Sequence, residues 1–195
     1  MLALSIIAHP RPDSLSHALA AAATRALVQR GYDVAIHDLY AEHFDPVQRT
    51  NESSNTRSED PLVERHCIEL AAADVIVIAH PNWWGQPPAI LKGWIDRVMR
   101  LDTAYGYAPD ATPASVPIGL LKARAAFVFN TSNTPGERED SVFGDPLEAI
   151  WKRCVFDLCG VTNVIRRMYG PVSGSTAVER AAWLAEAEAL VASSV

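Results

Sequence analysis

The sequence predicts an α/β protein in which a five-stranded parallel sheet lies between two layers of helices. Short apolar runs alternate with longer helical patterns along the chain, as successive βα units require. Three of these runs are apolar without alternation, which indicates parallel strands buried on both faces. The length of 195 residues and the 49% hydrophobic content suit one core without metal or disulfide crosslinks. We therefore expect a single domain over residues 1–195.

Each predicted strand is followed by a predicted helix. The strands are predicted at residues 2–8, 34–38, 75–80, 125–131 and 163–168. The helices are predicted at residues 15–30, 61–73, 87–101, 146–159 and 176–192. Gly31 and Gly160 are suited to end the first and fourth helices. Right-handed crossovers between parallel strands then favour the flavodoxin-like strand order 2-1-3-4-5, a three-layer α/β/α sandwich.

Two long segments interrupt this alternation. Residues 49–60 are polar, and we interpret them as a solvated connector without function. Residues 102–117 retain Tyr105 and Tyr107 among glycine and proline. Because exposed loops seldom keep two aromatic residues, we expect this second segment to cover a ligand or a partner chain.

Charge and cysteine content exclude several classes of protein. With 17 basic and 23 acidic side chains, a net charge of −6, the chain lacks the basic face of a nucleic-acid-binding protein. The three cysteines are oddly spaced for a disulfide framework or a zinc site, so we predict no metal site and interpret Cys154 and Cys159 as core residues. No apolar run approaches the roughly 20 residues of a membrane span, and the apolar start lacks a basic leader. A cytoplasmic protein is expected.

In a sheet of this kind, ligands bind at the carboxyl ends of the strands, where the strand order reverses. The loop after the first strand runs directly into a helix and lacks both G-x-G-x-x-G and the P-loop lysine. Its candidate phosphate ligands are His9, Arg11, Ser14 and Ser16, together with the free N–H groups of the helix N-terminus. In the alternative interpretation, Asp13 or Ser14 merely caps the helix. His17 is expected at the surface.

The loops after the third and fourth strands carry the other candidate ligands. Trp83 and Trp84 are sequence neighbours and cannot both face the same core, so a planar aromatic ligand is an attractive partner. The alternative is that one of them belongs to the core. Residues 130–136 are polar and suit the heteroatom edge of a bound ring, although turns use the same residue types. In the following helix Trp94 lies on an apolar face, as a core residue or a dimer contact.

Several motifs together resemble the NAD(P)H:quinone oxidoreductase (DT-diaphorase-like) family over about residues 2–170. They are His9-Pro10, the segment from Pro81 to Val98, Ala104-Tyr105-Gly106-Tyr107 and Cys159-Gly160. The resemblance implies a flavodoxin-like homodimer with a tightly bound flavin at the interface. It also implies ping-pong hydride transfer from NADH or NADPH to a small quinone-like acceptor.

The resemblance and the loop positions together give the candidate site. The candidate cofactor-binding residues are His9, Arg11, Ser14, Leu15, Ser16, Pro81, Asn82, Trp83, Trp84, Gly85, Thr131, Ser132 and Asn133. The candidate catalytic residues are Trp84, Tyr105 and Tyr107, of which the two tyrosines are expected to reach over the flavin of the other subunit.

The chain also departs from the family pattern. The family's Tyr and His that manage charge on the reduced flavin are absent, since the last histidine is His80. Loop amides, Arg138 or water are the alternatives for that task. We expect FMN rather than FAD, because about one helix follows the fifth strand; FAD stays open because the relatives use it. Two other functions also stay open: a flavin-containing ancillary subunit of a potassium-efflux-type transporter, and a flavodoxin-type electron carrier.

Overall fold

The computed structural model describes residues 1–52, 57–112 and 114–195. Within these ranges the strands are β1 (Leu2–Ile7), β2 (Asp33–Asp38), β3 (Val75–Pro81), β4 (Tyr105–Gly106), β5 (Ile118–Gly119), β6 (Ala125–Thr131) and β7 (Val164–Tyr169). Five of them form a parallel sheet in the order β2-β1-β3-β6-β7. The predicted order 2-1-3-4-5 is thus confirmed. The loop predicted over residues 102–117 contains one addition, because β4 pairs with β5 in a short antiparallel ladder.

The helices of the described residues follow the strands. They are α1 (Leu15–Gln29), α2 (Pro61–Ala72), α3 (Ala89–Val98), α4 (Gly136–Arg138), α5 (Pro146–Ala149) and α6 (Ala177–Ser194). Two π-helical segments, Glu139–Phe143 and Ile150–Asp157, continue α4 and α5. The prediction of an α-helix over residues 146–159 is therefore wrong beyond Ala149, where the hydrogen bonding is that of a π-helix. Apolar periodicity does not distinguish the two kinds of helix. Along the described chain, no helix is both long and apolar enough to cross a membrane.

The sheet has a hydrophobic core on each face. On one face α2 and α3 pack over side chains such as Ile76 and Val128. On the other face α1 and α6 pack over the neighbouring positions of the same strands, Val77 and Phe127 among them. Every residue of β3 and β6 is buried, as the apolar runs predict for central parallel strands. Full burial of each large apolar side chain contributes about 1.5–3 kcal/mol.

Arg97 of α3 is fully buried and holds the polar segment that follows β2. Its guanidinium donates to Glu52 Oε2 at 2.9 Å, to Glu52 Oε1 at 2.7 Å and to the Asp45 carbonyl at 2.6 Å. These hydrogen bonds lower the pKa of the Glu52 carboxyl to about 2, although burial opposes them. Ser58 is also buried and donates its hydroxyl to Glu52. We call this group the Arg97 clamp.

The Arg97 clamp corrects two expectations. The interpretation of residues 49–60 as a solvated connector is wrong for Glu52 and Ser58, because a buried guanidinium needs buried acceptors. Residues 53–56 of that segment lie outside the described residues. Cys154 is exposed, so its assignment to the core is also wrong, whereas Cys67 and Cys159 are buried.

A buried histidine cluster fixes α2 against α3. Ligand atoms of His37, Glu42 and His66 lie within 4.8 Å of one another, a spacing that a metal ion can use. However, Trp94 Nε1 donates to His66 Nδ1 at 2.8 Å, so neutral His66 keeps its proton on Nε2 and offers no lone pair there. Hydrogen bonds hold His37 to Glu42 and Glu69 and hold Trp94 to His66, whereas His66 Nε2 and Glu42 Oε2 have no hydrogen-bond partner among the described residues. Trp94 is fully buried in the cluster, so its interpretation as a dimer contact is wrong.

We expect the protein to lose stability on mild acidification because of two buried histidines. Burial, followed by the nearby His37, lowers the pKa of His66 to about 3, and burial lowers that of His80 to about 4. In the unfolded chain both titrate near 6.5, so below that pH the unfolded state binds protons that the folded state does not. Stability should fall by about 2 kcal/mol for each histidine between about pH 8 and about pH 5.

Urea unfolding across this pH range measures the effect. His66→Gln, whose amide oxygen can still accept from Trp94, should remove about half of the pH dependence. His43→Asn at an exposed position with a φ of 52° is the matched control and should leave it intact. A parent protein equally stable at both ends of the range contradicts the expectation.

Candidate functional site

The loops after β1, β3 and β6 meet at the carboxyl edge of the sheet. Asn82 N donates to the Thr131 carbonyl at 2.7 Å, and Ser132 N donates to the Tyr169 carbonyl at 3.0 Å. The Ser16 and Thr131 hydroxyls lie 3.3 Å apart, which joins the start of α1 to the end of β6. The three loops predicted to converge are thus held against one another by short polar contacts.

A buried polar network beneath these loops fixes the ends of β3 and β6. Trp151 Nε1 donates to His80 Nε2 at 2.9 Å, and His80 Nδ1 donates to the Pro81 carbonyl at 2.8 Å, which sets the tautomer of the imidazole. Asn130 Nδ2 lies 2.8 Å from the same His80 Nε2, and its Oδ1 accepts from Arg166 Nε at 2.6 Å. The residues that carry the site therefore stand on a buried layer that these polar contacts tie together.

A groove of about 230 Å³, the strand-end groove, lies between the three loops. It is lined by His9, Arg11, Ser14, Leu15, Pro81, Asn82, Trp83, Thr131, Ser132, Asn133, Thr134 and Val172. Ten of these twelve residues are candidate cofactor-binding residues from the sequence, while Thr134 and Val172 are additions. Ser16 is buried beside Thr131 rather than lining the groove.

Hydrogen-bond donors are concentrated at the α1 end of the groove. Ser14 caps α1 by accepting from His17 N at 3.3 Å, and it lines the groove as well, so the two interpretations of this residue are compatible. The first N–H groups of α1 have no intrahelical partner. His9 Nδ1 accepts from Arg11 N at 3.1 Å, which leaves His9 Nε2–H as a donor. Burial and the nearby cationic side chains lower the pKa of His9. This end suits an anion.

His17 is not the surface residue that the sequence predicts. Its side chain is 16% exposed, because the ring lies between Ser14 and the end of β2. His17 Nδ1 is 2.8 Å from Ser14 Oγ, and His17 Nε2 is 2.9 Å from Asp38 Oδ2. Asp38 follows His17 by 21 positions, and a partner at that distance leaves no local signal in the sequence.

The paired tryptophans form a tight turn. Trp83 N donates to the Gln86 carbonyl at 3.1 Å, and Gln86 N donates back to the Trp83 carbonyl at 3.0 Å. Trp84 and Gly85 occupy the centre with φ of 57° and 70°, the pattern of a type I′ turn. Trp83 is 41% exposed and Trp84 is fully exposed, so neither is the core residue of the alternative interpretation. Trp84 thus carries a bulky indole at a position whose left-handed backbone conformation favours glycine or asparagine.

Trp84→Asn should therefore stabilise the protein by about 1 kcal/mol while lowering catalytic efficiency. Asparagine tolerates the left-handed conformation, whereas the indole is held there by the hairpin without being packed. Urea unfolding and steady-state kinetics together measure both effects. Trp84→Phe is the control, since it keeps an aromatic ring and the strained backbone. A variant that is less stable than the parent would show that the indole packs favourably.

A second cavity of about 470 Å³, the Trp84 cavity, adjoins the strand-end groove. It is lined by Asn82, Trp84, Gly85, Thr134, Glu139, Phe143 and Pro146. Asn82 and Thr134 line both spaces, which places the two side by side. A side chain at Gly85 would not fit, because its Cβ would lie 2.8 Å from Pro146 Cγ.

Glu139 is a site residue that the sequence analysis missed. It is 2% exposed, and its Oε1 accepts from Asn82 Nδ2 at 2.9 Å and from Ser132 Oγ at 3.1 Å. It belongs to a run of charged residues in which Glu137 and Arg138 are exposed. Charge pattern gives no signal that one carboxylate of such a run turns inward. Arg138, a candidate for charge compensation, lies over the Phe143 ring with its guanidinium 5.1 Å from the ring centre.

Tyr105 and Tyr107 are not brought to either space. They lie at β4 with their rings 6.5 Å apart and nearly perpendicular, and Tyr107 is 49% exposed. Among the described lining residues of the groove and the cavity, neither tyrosine occurs. Their catalytic role across a dimer stays a prediction.

Comparison with known proteins places the chain in a family. A family profile described as a flavodoxin-like fold matches residues 1–191, so the chain belongs to this flavodoxin-like family. A Haemophilus influenzae protein named as an uncharacterized NAD(P)H oxidoreductase is 31% identical over 175 residues, which are 87% of this chain and 83% of that protein. The resemblance to NAD(P)H:quinone oxidoreductases and the predicted fold are both confirmed.

One further sequence relative and one solved structure are also similar to this chain. The NAD(P)H dehydrogenase (quinone) 1 of Rattus norvegicus is 34% identical over 125 residues, which are 54% of this chain and 46% of that protein. The chain spans about half the length of several curated relatives that it matches. The solved structure of Smu.1420 from Streptococcus mutans UA159 has a TM-score of 0.84 at 28% identity, covering 99% of this chain and 100% of that one.

Proposed function

We propose that this protein is a flavin-dependent NAD(P)H oxidoreductase that transfers two electrons to a quinone-like acceptor. The observation that carries the proposal is the contact between two spaces at one sheet edge, a donor-rich groove and an aromatic cavity that share Asn82 and Thr134. The names of the Haemophilus and rat relatives support this reaction class. Neither is named as a transporter subunit, so the oxidoreductase proposal is favoured over that alternative.

The residues of the strand-end groove fit a flavin phosphate and ring edge. Its α1 end supplies the N–H groups of the helix, His9 Nε2–H and the Arg11 guanidinium for a phosphate. Its other end supplies the hydroxyl oxygens of Thr131 and Ser132 as acceptors, since the Ser132 hydrogen is already donated to Glu139, and acceptors suit an N–H at the edge of a ring. We propose FMN, because these groups account for one phosphate and one ring. Bound flavin would supply the two-electron chemistry, while the protein positions and shields it.

The Trp84 cavity is proposed as the place of the electron acceptor. Its apolar walls are Trp84, Phe143 and Pro146, which offer a planar ring faces to stack on. Gly85 keeps the cavity open, since any side chain at that position would meet Pro146. Asn82 contributes to both spaces, and its amide donates to Glu139. The chain would thus hold the flavin beside one substrate cavity, which NAD(P)H and then the acceptor would occupy in turn during a ping-pong transfer.

A homodimer is proposed to complete this site. Exposed apolar side chains surround the β4–β5 pair, among them Val116 at 83%, Ile118 at 51% and Leu120 at 47% exposure. Tyr107 lies beside them at the end of β4. Exposed apolar residues of this density mark an interaction surface. Light scattering on the purified protein, with Ile118→Lys as the disrupting variant, tests the assembly.

Release of the cofactor tests the function directly. The purified protein is denatured, and the mass and absorption spectrum of the released compound are measured; FMN is expected. Oxidation of NADH and of NADPH in the presence of menadione is then followed at constant flavin content. A colourless protein that binds no added flavin and oxidises neither nucleotide would overturn the proposal.

A further inference from the structure

Two residues that line the Trp84 cavity each carry a buried acceptor oxygen without a donor among the described residues. These oxygens are Glu139 Oε2 and Asn82 Oδ1. Both Glu139 donors, Asn82 Nδ2 and Ser132 Oγ, converge on Oε1. A buried polar oxygen that stays unpaired destabilises a folded chain, and a carboxylate oxygen does so most. Such a pair of oxygens therefore indicates that a bound molecule supplies the missing donor.

The surroundings of Glu139 indicate which molecule this is. Glu139 lines the Trp84 cavity but is not among the described lining residues of the strand-end groove. The remaining walls of that cavity are mainly the indole of Trp84, the ring of Phe143 and the ring of Pro146. A planar ring fits between such walls, and Glu139 adds a carboxylate acceptor to the lining of the same cavity.

We propose that Glu139 makes the protein selective for ring acceptors that carry an N–H or O–H donor beside the reducible carbonyl, such as aminoquinones. This proposal rests on the proposed function and names its substrate class. Asn82 lines the same cavity and carries a second unpaired acceptor, Oδ1. Rings without a donor leave both oxygens unpaired, so they bind less tightly although they fit the same walls.

Two closely matched substrates test the selectivity on the parent holoprotein. They are 2-(methylamino)-1,4-naphthoquinone, which has one N–H donor, and 2-(dimethylamino)-1,4-naphthoquinone, which has none. We expect the parent to favour the first by about tenfold or more in kcat/KM and in equilibrium binding to the oxidised holoprotein, the size of a hydrogen bond to a charged group. Equal values for the two quinones would overturn the proposal without any variant.

Glu139→Gln then assigns the selectivity to this side chain. The amide oxygen can replace Oε1 for Asn82 and Ser132, while the amide nitrogen puts a donor in place of Oε2. We expect the ratio between the two quinones to fall to about one. Glu137→Gln, an exposed carboxylate two residues earlier, is the matched control and should keep the parent ratio.

The remaining outcomes separate this inference from the proposed function. A Glu139→Gln protein that keeps the parent ratio, or that differs from the parent only in flavin affinity, overturns the role of Glu139. A parent that binds no flavin and reduces neither quinone instead overturns the proposed function. If Glu139→Gln fails to fold, the comparison of the two quinones on the parent protein still decides whether the protein prefers a quinone that carries an N–H donor.

Discussion

Arg97→Met is expected to destabilise the protein by about 3–5 kcal/mol, the range measured when one partner of a buried ion pair is removed. Arg97 is fully buried, and its Nε and Nη2 both donate to Glu52, whose side chain is 1% exposed. Methionine fills much of the volume but leaves that carboxylate buried without its cation. Urea unfolding at neutral pH measures the loss.

Two further variants test whether the loss of stability in Arg97→Met comes from the buried charge of Glu52. Lys92→Met on the same helix removes an exposed pair with Asp96 at 2.6 Å and should cost no more than about 0.5 kcal/mol. Arg97→Met combined with Glu52→Met removes both charges, so it should recover a large part of the stability. If the double variant were as unstable as Arg97→Met, packing rather than charge would explain the loss.

Gly93→Ala in α3 should destabilise the protein by about 3 kcal/mol, the upper part of the usual range for overpacking. A Cβ at this position would lie 2.2 Å from the Pro46 carbonyl oxygen and 2.4 Å from Pro46 Cα. The neighbouring Asp45 carbonyl accepts from Arg97 at 2.6 Å, so this backbone cannot retreat without losing a buried hydrogen bond. The gain of about 1 kcal/mol in helix propensity does not offset the clash.

Gly136→Ala provides the comparison within the same chain. This glycine begins α4, and a Cβ there would meet no described atom within 4 Å. Its stability should stay at the parent value or rise by less than about 1 kcal/mol. Thermal unfolding of both variants measures the difference. A Gly93→Ala protein as stable as Gly136→Ala would mean that the segment around Pro46 moves freely.

The sequence predicted those parts of the fold that depend on local pattern. β3 and β6 are apolar throughout and proved buried on both faces. Ser14 was predicted as a possible cap and does cap α1, whereas Thr176, predicted as the first residue of the last helix, caps α6. Alternation of strands and helices then restricts the topology to few arrangements. The position of the site at the carboxyl edge follows from that topology rather than from any one residue.

Side chains whose partners lie far along the chain could not be predicted. Arg97 and Glu52 are 45 positions apart, and Glu139 and Asn82 are 57 apart. Each is a charged or polar residue of a type that is usually exposed, so composition favours the wrong environment. The short β4–β5 pair and the π-helical segments were missed for a related reason, because tertiary contacts decide them.

The Arg97 clamp holds the chain on both sides of residues 53–56, through Glu52 before them and Ser58 after them. The strand-end groove and the Trp84 cavity are built from other loops. The loss of the clamp should therefore lower the stability of the protein without reshaping either of the two ligand spaces.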